Sequence, residues 1–207
     1  MYVPKFFEVR EWPEIFNFIK DNSLATLVTC GENHPAATHV PLELQEDEGG
    51  KIILSGHVAR ANQQWKSFES HPDVLAIFLS PIHHYISSSW YSHPNVPTWN
   101  YMSVHVYGKL KIVDGERLKR SLERMTKRHE HVSSHSLSPE VLRGEIDKQM
   151  DAIVGFELDI EKVEAAYKMS QNRNDEDYAN IVKELKRLQN YNAEQVAGKM
   201  SEIRKIG

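Results

Sequence analysis

Residues 56–68, GHVARANQQWKSF, crowd a histidine, an arginine, an asparagine and glutamines into one turn, directly after the apolar run KIILS. The planar fork of Arg60 suits a phosphate group. His57 and Asn62 add donors at the same turn, and Gln64 lies one helical turn from Arg60. If the apolar run hands over to a helix here, the helix start adds unpaired N–H groups and a partial positive charge. The chemistry this spacing offers is a phosphate clamp. The same letters also describe a polar helix start with a surface arginine.

A second stretch, YISSSWYSHPNVPTWNY, carries Tyr85, Trp90, Tyr91, Trp99 and Tyr101. A long loop costs entropy unless it packs against something. Aromatic rings with a few amides make a slot for a planar heterocycle. Tyr and Trp are also enriched at subunit interfaces. The two readings are compatible, because a site can sit at a subunit boundary.

Other reactive groups are less organised. His39 and His105 fall on polar strand faces, where a histidine is either a ligand contact or a locally hydrogen-bonded side chain. His129 and His131 diverge on a helix, and His131 and His135 straddle a Ser-Ser pair. No HExxH and no cysteine-containing zinc pattern occurs, so no metal site is expected. Cys30, the one cysteine, sits beside a glycine turn with no cation near it in sequence, and no intramolecular disulfide can form.

These groups need elements to position them. A short helix is expected over 12–22, with Pro13 in its first turn and Ile15, Phe16 and Ile19 as its stripe. Strands are expected over 24–29, 36–44, the KIILSG run and DVLAIFLS, then AIVGFELDI and EAAYKMS. Residues 58–69 are expected to be helical on Ala61, Trp65 and Phe68. In 98–112, Met102, Val104, Val106, Leu110 and Ile112 share one face; Trp99, Tyr101, Ser103, His105 and Tyr107 share the other. Two helices follow, one on Leu118, Leu122 and Met125, the other capped by Ser138. The chain beyond about 175 is charged and helical, with acids and bases interleaved as on a solvated face. The hairpin-like run over 24–54 argues for a small closed antiparallel sheet rather than a doubly wound one.

Composition narrows the classes. A chain of 207 residues with 40% hydrophobic residues can bury one real core. The net charge of −4 gives no global pull towards nucleic acid or anionic membrane. The start, MYVPKFFEVREW, lacks the pattern of a secretory signal, and no apolar run approaches the roughly 20 residues of a membrane span. No helix-turn-helix signature, GxGxxG or P-loop is seen. A soluble protein of the cytoplasm, with no membrane partner, is expected.

Together HVARANQQWK, YISSSWY, VPTWNYMSVHVYGKL and YKMSQNR resemble the PaiB family, the FMN-binding negative transcriptional regulators of bacteria. The resemblance runs from MYVPKFF to about residue 190. It implies the FMN-binding split barrel: a mainly β fold, a six-stranded antiparallel Greek-key barrel, over residues 1–174, with a helical C-terminal extension over 175–207. It also implies a homodimer with FMN at its interface and a role in repressing sporulation and degradative-enzyme genes, with DNA as a partner. By the same resemblance His57, Arg60 and Asn62 hold the FMN phosphate, with Gln64 and Trp65 nearby. Trp99, Asn100 and Tyr101 fall near the isoalloxazine or the dimer seam. Lys168, Gln171, Asn172 and Arg173 approach the site, a partner subunit being one source of them. SPIHHYISSS departs from the more usual Gly-Pro-His followed by Tyr, which alters the wall near His83 and His84. Two alternatives stay open: a flavin-dependent oxidoreductase using a reduced nicotinamide, and a flavin-free sensor of another planar anion.

Overall fold

The computed structural model describes residues 1–31, 34–47, 49–130 and 137–204. In chain order the strands are β1 (Glu8–Val9), β2 (Leu24–Thr29), β3 (Ala36–Pro41), β4 (Glu43–Glu46), β5 (Ile52–Ala59), β6 (Asp73–Leu79), β7 (His84–Ile86), β8 (Thr98–Val113) and β9 (Ile153–Lys168). The helices are α1 (Trp12–Asp21), α2 (Gly115–Glu130), α3 (Pro139–Gln149), α4 (Asp175–Arg187) and α5 (Tyr191–Ile203). The chain divides into two units. One gathers 1–18, 78–105 and 164–207; the other gathers 19–77 and 106–163.

The second unit is built on an antiparallel sheet in the order β3-β2-β6-β8-β9-β5-β4. β3 and β5 touch although four strands separate them in that order, so the sheet curls back on itself. Two glycines permit close approaches within it. A Cβ on Gly108 would lie 2.0 Å from the Asp159 carbonyl oxygen on β9, and one on Gly56 would lie 3.0 Å from the Pro41 carbonyl oxygen on β3. Inside, Leu27, Leu42, Ile53, Leu54 and Leu158 are fully buried, and Phe68 meets Phe156 edge-on at 5.5 Å. The expected strand over 36–44 breaks at Leu42, whose side chain is buried while its N–H donates to the Ser23 carbonyl.

α2 docks on this unit through Leu118 and Leu122, and a Cβ on Gly155 would lie 2.5 Å from Leu118. Charged contacts hold it at both ends. Near its start Arg117 grips Glu157, with Nη2 2.6 Å from Oε2; near its end Arg128 and His129 share the buried carboxylate of Glu43 at 2.8 and 3.0 Å. His131 and His135 lie outside the described residues.

In the first unit β1 pairs with the end of β9, and β7 pairs with the start of β8, placing Tyr85 opposite Trp99. The aromatic stretch expected as one loop therefore holds a strand and a 3-10 turn, Ser88–Trp90. α4 and α5 pack together over Tyr178, Ile181, Leu185, Val196 and Met200. These helices are thus part of a core, not merely a solvated charged tail. The Tyr178 hydroxyl donates to the Met200 carbonyl at 2.7 Å, and burial pushes it up to about 12.

Gly108→Ala should lower stability by about 2–3 kcal/mol, since neither strand can retreat without losing ladder bonds. Thermal denaturation followed by circular dichroism checks this; an unchanged midpoint would mean β8 and β9 are further apart than described.

Candidate functional site

The segment after β5 is where sequence and structure part most clearly. No α-helix runs over 58–69. β5 continues to Ala59, paired with β9 from Ile53 opposite Asp159 to Ala59 opposite Ile153. Only a 3-10 turn follows, Gln63–Ser67. Strand pairing outcompetes the weak helical spacing of Ala61, Trp65 and Phe68, of which Phe68 alone is buried. The buried neighbour is polar: Gln64 is 7% exposed.

Gln64 ties this turn to two strands. Its Nε2 lies 3.2 Å from the Leu27 carbonyl, 3.1 Å from Thr29 Oγ1 and 3.2 Å from the Ala36 carbonyl. Its Oε1 accepts from Thr38 Oγ1, which in turn accepts from Asn62 Nδ2 at 2.9 Å. Asn62 Oδ1 accepts the Gln64 N–H at 3.0 Å and caps the turn. Both side chains are committed inside the protein. Thr38 completes the network, and nothing in its place on the alternating strand singled it out beforehand.

Arg60 is different. Its Nε donates to the Asp151 carbonyl at 2.8 Å and an Nη to the Ile153 carbonyl at 3.0 Å. Its own carbonyl accepts from Trp65 Nε1 at 2.9 Å, and the guanidinium lies 6.0 Å from the Trp65 ring centre. No carboxylate pairs with it among the described residues. The side chain is exposed, its direction is fixed by neutral carbonyls, and its charge is uncancelled. That is the electrostatic character of an anion site. His57, on β5, is half-buried, and burial lowers its pKa, which favours the neutral ring.

In the first unit the odd-numbered face of β8 shows Trp99, 52% exposed, with Tyr85 and His83 at 5.8 and 5.9 Å between ring centres. Tyr101 follows on that face, half-buried. Asn100 points the other way and is fully buried, accepting from Ser170 Oγ at 3.0 Å and lying 3.5 Å from Met200 Sδ. Ser103 on the odd face is buried too, bonded to the Phe78 carbonyl.

The KMSQNR segment forms a tight turn. Ser170 sits at φ 62°, and Gln171 closes the turn by accepting from the Met169 N–H at 2.7 Å and donating to the Tyr167 carbonyl. Lys168 Nζ donates to Thr98 Oγ1; burial and then the charge of Arg173 lower its pKa. Arg173 lies 4.9 Å from the Tyr91 ring centre, and Asn172 is exposed.

One buried carboxylate escaped the sequence reading. Asp177, 1% exposed, accepts the Ser92 N–H at 2.7 Å and the Ser92 hydroxyl at 2.9 Å, with His93 Nδ1 at 3.4 Å. Its place three residues after the cap Asn174 was the available signal. It fixes the aromatic segment to α4. The Ser92 N–H, above all, lowers its pKa; burial opposes this, and the Ser92 hydroxyl, His93 and Arg173 assist.

A curled antiparallel sheet with this strand order, flanked by helices, defines a split barrel of the flavin-binding kind. Residues 1–162 match the family described as "Putative FMN-binding domain". The chain belongs to that family, and within it to the PaiB group: it is 44% identical to "Protease synthase and sporulation protein PAI 2" of Bacillus subtilis (strain 168), over 98% of this chain and 97% of that one. Two solved structures share the fold. The FAD and heme binding protein from Mycobacterium smegmatis has a TM-score of 0.60 at 13% identity, covering 83% of this chain and 78% of its own. The flavocytochrome Anf3 from Azotobacter vinelandii has a TM-score of 0.60 at 16% identity, covering 86% and 78%.

Two predictions follow from these contacts. Gln64→Leu should cost about 2 kcal/mol or more, because Thr38 and two carbonyls lose their partner inside the protein; urea unfolding measures it. Asp177 has a folded pKa below its unfolded value, so its stabilisation is present above about pH 4 and is lost as pH falls through the folded value. Asp177→Asn should flatten the acid side of the profile of Tm against pH. An unaltered profile would mean the carboxylate charge is not what holds Ser92.

Proposed function

We propose that this protein is a PaiB-type regulator whose split barrel binds FMN, with the phosphate at Arg60. Arg60 carries the phosphate reading: a guanidinium aimed by two main-chain carbonyls, with no carboxylate to neutralise it among the described residues. Trp65 walls that side, and neutral His57 supplies a hydrogen bond without charge. Asn62 and Gln64 then act through the turn they hold rather than by touching ligand.

In the first unit, taken by itself, Trp99, Tyr85 and Tyr101 offer π surface that suits a flat ring. In the same unit Lys168 bonds to Thr98 and Arg173 lies over Tyr91, and Gln171 and Asn100 shape the backbone that carries them. Bound FMN supplies the capacity to accept and return electrons. The protein's share is to hold the phosphate, to shield the ring face and to set the protonation of the side chains beside it.

The Bacillus relative is named for protease synthesis and sporulation. Carried to this chain, that name supports control of the same processes; to this we add a cytoplasmic homodimer with DNA as its partner. Exposed Trp99 and Tyr85 suit a subunit seam as well as a ring. No helix among the described residues is long and apolar enough to cross a membrane.

FMN titration, read by quenching of flavin fluorescence, tests the reading. One saturable site per chain is expected. Arg60→Ala should weaken binding by about 10- to 100-fold, the scale of lost charge-assisted bonds, with little change in Tm. Riboflavin, which lacks the phosphate, should bind wild type and Arg60→Ala alike. If Arg60→Ala leaves FMN affinity unchanged, the phosphate assignment is wrong.

A further inference from the structure

α2 and α3 form a helical hairpin that the flavin reading does not use. α2 turns Leu118 and Leu122 into the protein and Arg120, Arg124 and Lys127 to solvent. The last three recur at i, i+4 and i+7, so they form one stripe along the helix. α3 buries no residue at all. Its apolar line, Leu142 and Ile146, stays half-exposed, and Leu137 just before the helix is 55% exposed.

Two ion pairs clamp the helices side by side: Lys119 to Asp147 at 2.6 Å and Arg143 to Glu123 at 3.1 Å. The clamp leaves a cleft of about 660 Å³ between them. Leu142 and Ile146 of α3 line it, together with Arg120, Arg124 and Lys127 of α2. That volume lies in the range of small-ligand sites, roughly 300–1,000 Å³.

The charges of the lining do not cancel. Arg143 and Glu123 neutralise one another, which leaves Arg124 and Lys127 against Glu130. Arg124 and Lys127 have no carboxylate partner among the described residues. An occupant must therefore be apolar along one side and anionic at the other.

We propose that this cleft binds a single-chain anionic amphiphile, its carboxylate or phosphate head at Arg124 and Lys127 and its chain along Leu142 and Ile146. A nucleic-acid backbone would use the cations and leave the apolar line of α3 bare. An anionic bilayer would meet a concave cleft on a chain of net charge −4, which it repels. The free, monomeric amphiphile satisfies both surfaces.

Isothermal titration with dodecyl phosphate, below its micelle concentration, tests this on the full chain. One saturable site per chain is expected. The double variant Arg124→Glu/Lys127→Glu should weaken it by about tenfold, since two exposed attractions become repulsions. Ile146→Asp should weaken it as well, while circular dichroism reports an unchanged fold for both. Dodecyltrimethylammonium should not compete, and FMN affinity should be the same in all three proteins, which separates this site from the flavin site. Absence of saturation overturns the proposal. So does equal binding of the cationic amphiphile, unchanged affinity in the double variant, or binding confined to phosphatidylglycerol vesicles, duplex DNA or an acidic peptide.

Discussion

A buried primary amide organises the curled sheet. Gln64 reaches Leu27 and Thr29 on β2 and Ala36 and Thr38 on β3, from a turn that belongs to neither strand. Removing its carboxamide from water is unfavourable unless each atom finds a partner, so the turn must close in one way. That closure decides what happens to the residues just before it. Arg60 leaves the end of β5 at the point where Asp151 and Ile153 offer their carbonyls, and its guanidinium is locked there. A helix at this position would have presented N–H groups to an anion. The observed turn bonds the Gln64 N–H internally, to Asn62, and leaves the Arg60 guanidinium as the positioned positive group.

Much of the sheet was legible because period-2 patterning reports burial directly. Met102, Val104, Val106 and Leu110 are all buried as their alternation on β8 implies, while Ile112, expected with them, is half-buried. The reading fails where two periods coincide. Ala61, Trp65 and Phe68 fit a helix by spacing, yet β5 gains a full ladder against β9 by remaining extended to Ala59. Long-range pairing of that kind is not encoded locally. For the same reason the bonds of Asn62 and Gln64 to Thr38 were not legible: a sequence shows that a residue is polar but not which way it points.

Charge separates paired from uncancelled side chains in this fold. Most charged side chains of the curled sheet answer one another. Glu157 meets Arg117 and Lys111, Asp159 meets Lys111 and Lys51, and Glu43 meets Arg128 and His129. Pairs of this sort fix α2 and the strand ends and leave little field for a ligand. An uncancelled cation in such surroundings is the informative exception, and Arg60 is one. Sequence alone could nominate Arg60 for its chemistry, but not establish that its neighbours are carbonyls rather than carboxylates.

The aromatic face of the first unit rests on a parallel logic. Trp99 and Tyr85 are exposed, so their own packing does not hold them in place. What holds them is underneath: Asn100 anchored to Ser170, Ser103 anchored to the Phe78 carbonyl, and β7 paired to β8. The neighbouring Ser92 is tied to α4 by Asp177. Inward polar residues thus hold outward rings on a rigid strand, which limits the ordering that a stacking partner must induce on arrival. A platform stiffened from below and bare above suits a flat ring or a second copy of the same surface, and with either occupant Asn100 contributes from the far side of the strand.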